Sequence, residues 1–169
     1  MASRLLKESE VEFARQVFED QLPYGNVHLA NYYLPGNQGV PVTLASVSSI
    51  IPVSTLRNYT IYFGPEVFSD GADRPGTAST FIHELTHVWQ GYHSGLGWEY
   101  MVNSMIAQGH AILTQGDRNR AYDYKPGKPW KKYNVEQQAL LVQDWYRNGM
   151  SEGDERYTYI ANHIRAGRK

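Results

Sequence analysis

Residues 83–93 read HELTHVWQGYH. His83 and His87, four apart, fall one turn apart on one face of a helix. Two imidazoles so placed can hold one ion at the roughly 2.0–2.1 Å that zinc requires. Glu84 is rotated by about 100° from His83, which keeps its carboxylate outside the coordination sphere and within reach of a water beside the ion. The chemistry this allows is hydrolysis, with a metal-activated water as nucleophile and Glu84 as general base. The surrounding residues Phe81, Ile82, Leu85, Val88 and Trp89 are apolar. Burying three polar side chains among them is costly unless they have partners, which favours a metal site over a chance match.

Two histidines leave zinc short, since a catalytic site supplies three protein ligands and a water. His93 stands where the HExxHxxGxxH pattern has its third histidine. That pattern turns the chain back to the metal at a glycine three residues after the second histidine. Here that position holds Gln90, and the glycine comes one residue late, at Gly91. On a continuing helix His93 would lie about 240° round and about 9 Å along from His87, out of reach of the ion. Met101 and Met105 make no convincing Met-turn. His93 is therefore read as a surface histidine after a helix end. The alternative is a glutamate on a distant helix, as in gluzincins, whose ligating glutamates lie in Glu-x-x-Ala-type segments. Glu136, opening EQQA, leads, although a first-turn carboxylate is also favourable beside a helix dipole without any metal. Glu136 ranks ahead of His93, with Glu99, Asp117, Asp123 and Asp144 behind.

The elements that must carry these groups show in the pattern. Residues 8–19 place Val11, Ala14 and Phe18 on one helical face. Short strands are expected at 26–30, 42–46 and 58–63, the last stopped by Gly64-Pro65. Residues 68–80 read as a loop into the motif helix, 78–92, which a left-handed Gly91 would end. A second helix is expected over 98–114, a loop over 116–130, and the clearest amphipathic helix over 134–148, opened by an Asn134/Gln137 capping box. A last helix covers about 154–165. The fold class is α+β: one domain over 1–169, with a strand-bearing N-terminal half packed on a mainly helical C-terminal half.

Sixteen Lys and Arg face 17 Asp and Glu, for a net charge of −1. Nothing in that balance suggests a nucleic-acid binder, whose footprint is a clustered basic surface. Cysteine is absent, which removes disulfides, thiolate metal sites and cysteine nucleophiles together. No stretch reaches the roughly 18 apolar residues of a membrane span, and the N-terminus lacks the apolar core of a signal peptide. The expectation is a soluble chain; if it acts outside the cell, something other than its own N-terminus carries it there.

The succession FIHELTHVWQ, AYDYKPGKPW and YNVEQQALLVQDW, preceded by SRLLKESEVEFARQVF and IYFGPEVFSD, resembles a bacterial VgrG-related family. Its domains stand alone or extend the C-terminus of type VI secretion spike proteins. The resemblance covers most of residues 3–148. It implies a gluzincin-like zinc metallopeptidase effector, with His83, His87 and Glu136 as zinc ligands and Glu84 as catalytic base. It further implies a protein or peptide substrate, a VgrG spike as fused carrier, a cognate immunity protein, and antibacterial action in the target periplasm. The opening Met-Ala is then expected to be the start of an excised domain. One departure from the thermolysin pattern stands out. The aspartate that follows the ligand glutamate by four residues is replaced by Leu140, so the groups that orient His83 and His87 are unassigned. Tyr122, Tyr124, Tyr133 and His110 are the candidates for stabilising an oxyanion, each with a structural reading beside it. Two rival functions remain: a peptidoglycan amidase or peptidase, and a zinc-stabilised interaction module without turnover.

Overall fold

The computed structural model describes residues 1–35, 39–47, 57–94 and 123–168. The expected helix over 98–114 lies outside them, as do Glu99, Met101, Met105, His110, Asp117 and Tyr122.

Among the described residues, four strands form one mixed sheet in the order β1-β2-β4-β3. They are β1 (Ser3–Leu5), β2 (Val27–Ala30), β3 (Val42–Val47) and β4 (Arg57–Tyr62). β2 and β4 run parallel at the centre, with Leu29 opposite Ile61. β1 and β3 flank them antiparallel. Alternation sets the inner face: Val27 and Leu29 on β2, and Tyr59 and Ile61 on β4, are all within 1% of complete burial.

Among the described residues, five helices cover this sheet and extend from it: α1 (Glu8–Phe18), α2 (Pro65–Asp70), α3 (Ala78–Tyr92), α4 (Val135–Arg147) and α5 (Tyr157–Tyr159). The last continues as a π-helical turn, Ile160–Ile164. The expected α+β class is therefore what the chain adopts, with the sheet in its N-terminal half and helices in its C-terminal part. The three expected strands and the helices near residues 8, 78, 134 and 157 all form.

Two elements were not expected. β1 is too short to show a period of two. α2 begins at Gly64-Pro65, which reads as a strand stop but also places proline at the first helical position, where its fixed φ suits a helix. Gly64 sits at φ 85°, and a Cβ there would lie 2.5 Å from the Tyr33 ring. One expected terminator is not one. Gly91 is buried within the last turn of α3, the helix runs to Tyr92, and His93 is its cap.

Buried polar anchors hold the helices in place. Trp89 on α3 donates its indole N–H to the Ile164 carbonyl at 3.0 Å. Arg165 donates to the Gln16 carbonyl on α1 at 2.9 Å and lies 5.5 Å from the Trp145 ring centre. Glu10 is fully buried. It accepts from Arg4 at 2.7 and 2.9 Å, from the Lys7 N–H at 2.7 Å and from the Ala72 N–H at 2.9 Å. Burial pushes this carboxyl up, but the Arg4 guanidinium and the two backbone donors hold it below its ordinary value. The pair thus joins β1, α1 and the turn after α2.

Candidate metal centre

α3 buries Phe81, Ile82, Leu85, Val88 and Trp89, and α4 buries Ala139, Leu141, Val142 and Trp145. These apolar stripes pack the two helices together, and His83, His87 and Glu136 meet between them. Glu136 owes its place to the helix start. Asn134 accepts from the Gln137 N–H at 2.8 Å and donates its own N–H to the Gln137 side chain at 3.2 Å, the reciprocal box the sequence implies. That fixes the first turn, and Glu136 with it.

His83 Nε2 lies 3.2 Å from His87 Nε2 and 3.3 Å from Glu136 Oε2, and His87 Nε2 lies 3.5 Å from Glu136 Oε1. A tetrahedral site with bonds of roughly 2.0–2.1 Å has ligand-to-ligand edges of about 3.3–3.4 Å. The three separations, the two to Glu136 running to different oxygens of its carboxylate, lie close to that value. The other ring nitrogens are occupied: His83 Nδ1 faces Gln143 Oε1 at 3.1 Å and His87 Nδ1 faces Gln90 Oε1 at 2.8 Å. An amide oxygen only accepts, so each Nδ1 carries the hydrogen and a neutral ring leaves Nε2 bare. Three electron-pair donors then converge within reach of one another, which is unfavourable without a cation among them. The residues fit a divalent metal.

Electrostatics agree. Burial opposes charge on His87, but Glu136 and then Glu84 outweigh it and raise the imidazole to about 9. Burial likewise pushes the Glu136 carboxyl up, but the facing His87 and His83 hold it well below the usual carboxylate range. The group is thus a site of negative potential that takes up a proton when it holds nothing else.

Glu84 is not among these three ligating residues, and it reaches the sheet through one carboxylate oxygen. Its Oε2 accepts the Thr43 hydroxyl of β3 at 2.7 Å, and both residues are buried. The other sequence candidates lie elsewhere. His93 faces the Gln21 carbonyl at 3.0 Å and packs on Trp89, 4.8 Å between ring centres. Asp123 is exposed, and its carbonyl accepts from Gln137. Asp144 accepts from Tyr124 at 2.8 Å and faces Arg147 and Arg156. The Tyr133 hydroxyl donates to the Lys125 carbonyl at 2.7 Å. Neither tyrosine hydroxyl is therefore turned to the metal group. Sequence reasoning missed Thr43, Gln90 and Gln143. Only Gln90 left a trace, as the residue that breaks the glycine-turn pattern.

No protein-family model matches the chain. Over 152 residues it is 35% identical to the type VI secretion system spike protein VgrG2b of Pseudomonas aeruginosa, a match covering 86% of this chain. The solved effector domain of VgrG2b superposes with a TM-score of 0.63 at 28% identity, over 94% of this chain and 82% of that one. The chain is a homologue of the VgrG2b effector domain. It spans 13% of the length of the VgrG2b spike protein itself. The resemblance to spike-borne effector domains therefore holds, and it extends to the fold. No helix among the described residues is long and apolar enough to cross a membrane.

Proposed function

We propose that residues 1–169 form one gluzincin-like zinc metallopeptidase domain, an antibacterial effector carried by a type VI secretion spike and acting in the target periplasm. The observation that carries the metal reading is the convergence of His83 Nε2, His87 Nε2 and the two oxygens of the Glu136 carboxylate at separations of 3.2–3.5 Å. Homology to the VgrG2b effector domain carries the delivery reading. Two imidazoles and one carboxylate, with no thiolate, form a donor set of the kind catalytic zinc uses. Zinc bound there supplies Lewis-acid polarisation of the scissile carbonyl and acidifies a water.

The chain's own residues do the rest. Glu84 accepts the proton of the attacking water as the C–O bond forms, then delivers it to the leaving amine as the C–N bond breaks. Thr43 holds Glu84 Oε2, which leaves Oε1 for the water. The glutamines at the two Nδ1 atoms keep both imidazoles out of the proton transfer. The substrate is a protein or peptide, and a cognate immunity protein guards the producing cell.

Glu84→Gln should retain fold and zinc while losing peptidase activity and toxicity to a periplasm-directed target cell. Full activity in that variant would refute the mechanism. Toxicity without turnover would identify a zinc-stabilised interaction module. Release of muropeptides in place of cleaved protein would identify a peptidoglycan amidase or peptidase.

A further inference from the structure

Gln90 can present either end of its amide to His87, and only the oxygen leaves Nε2 bare for a metal. Which end faces the ring is decided beyond it, on α4. The Gln90 Nε2 group donates to the Val135 carbonyl at 2.9 Å and to Gln138 Oε1 at 3.0 Å. Gln138 in turn donates to the Trp130 carbonyl at 3.2 Å and the Tyr133 carbonyl at 3.3 Å. Backbone carbonyls only accept, so the Gln138 amide nitrogen must face them and its oxygen must face Gln90. The Gln90 nitrogen is then committed to two acceptors and its oxygen to His87 Nδ1. Turning the Gln90 amide over would set oxygen against oxygen at both Val135 and Gln138. Gln90 is 99% buried, so water cannot make good the loss.

We infer that Gln138 and Gln90 form a one-way hydrogen-bond relay, running from the Trp130 and Tyr133 carbonyls to His87 Nδ1, that fixes His87 as the tautomer with Nε2 free for metal. Both are positioning residues. The relay also ties His87 to the carbonyl of Val135, the residue before Glu136, so it sets one ligand against the helix start that presents another. This assignment rests on the proposed metal site and gives a role to two residues that touch no ligating atom.

The test combines two variants with one measurement on the wild type. Gln90→Leu should weaken zinc binding by roughly 10–100-fold, the range for groups that orient a metal-bound histidine. Gln138→Met, which touches no histidine, should weaken it less, towards the lower end of that range. Zinc affinity is measured against a competing chelator, with circular dichroism to confirm the fold. The imidazole nitrogens of metal-free wild type are read by long-range 1H–15N correlation at alkaline pH. They should show His87 protonated on Nδ1, with that preference weakened in both variants while His83 is unmoved. A folded Gln90→Leu protein with wild-type zinc affinity would overturn the relay and leave the peptidase reading standing. So would a wild-type His87 carrying its hydrogen on Nε2, a result that needs neither variant to fold. Wild type that takes up no zinc would sink the peptidase reading instead, with the nitrogen spectrum still deciding the relay.

Discussion

Zinc entering this site must expel a proton. In the metal-free protein the Glu136 and Glu84 carboxylates overcome burial and raise His87 from 6.5 to about 9. At pH 7 its ring is therefore protonated, whereas Glu136, held low by the two imidazoles, has no proton to lose. Metal ligands bind deprotonated, so the apparent zinc affinity should rise about tenfold per pH unit between pH 7 and about 9, then level off. Two decades at about 1.36 kcal/mol each make roughly 2.7 kcal/mol of pH-dependent affinity. Calorimetric titration with chelator-buffered zinc, at pH 7.5 in two buffers of different ionisation heat, should report about one proton released per ion from His87. A folded-state value above the unfolded one stabilises below the unfolded value. The metal-free fold should therefore keep the whole His87 contribution below pH 6.5 and lose it as the pH rises through about 9. The zinc-loaded form should run the opposite way over that window. Affinity that is flat from pH 7 to 9, or zinc uptake with no proton release at pH 7.5, would refute the reasoning.

Thr43→Val removes the hydroxyl on Glu84 and should lower kcat by roughly tenfold or more, about the 1.5–3 kcal/mol of a hydrogen bond to a charged group. KM and zinc content should hold, and Thr43→Ser should restore the rate. Glu10→Leu should cost about 3–5 kcal/mol in urea unfolding, since it strands the Arg4 charge and two backbone donors. Arg4→Met should cost less, because Glu10 keeps the Lys7 and Ala72 N–H groups. The Glu10 carboxyl is depressed in the fold, so its contribution is complete above its ordinary value of 4.5 and fades as acid protonates it. Comparing Glu10→Leu with wild type at pH 7 and in acid should show the gap narrowing. Asn134→Ala should cost about 1 kcal/mol of stability and weaken zinc binding, because Glu136 sits in the turn that Asn134 caps; unchanged zinc affinity would separate cap from ligand.

How much of this was legible depended on distance along the chain. The spacing of His83, Glu84 and His87 within one helix shows directly, because helical geometry alone puts them together. Glu136 could be ranked by its capped helix start but not placed, since its approach to His83 is made by packing across 53 positions. Gln90 and Gln143 were invisible for a different reason. Glutamine carries no charge and has no fixed spacing from the group it serves, so only the three-dimensional contact marks it out. Thr43 reads as an ordinary β-branched strand residue, and Glu10 as one more first-turn carboxylate of α1. Each acquires its role from a partner on another element. Gly64-Pro65 carried two signals, a strand end and a helix start, and pattern alone recorded the first.

The proposed ligands His83 and Glu136 stand 53 positions apart, in a chain with no cysteine. An ion held by α3 and α4 at once closes that stretch into a loop, as a disulfide would. Closing a loop of this length removes about 4 kcal/mol of freedom from the unfolded chain. Such a clasp opens to chelators and acid but ignores thiols and oxidants. With an ion bound there, the stability of the protein would follow the metal supply of whichever compartment it enters, whatever the redox state there.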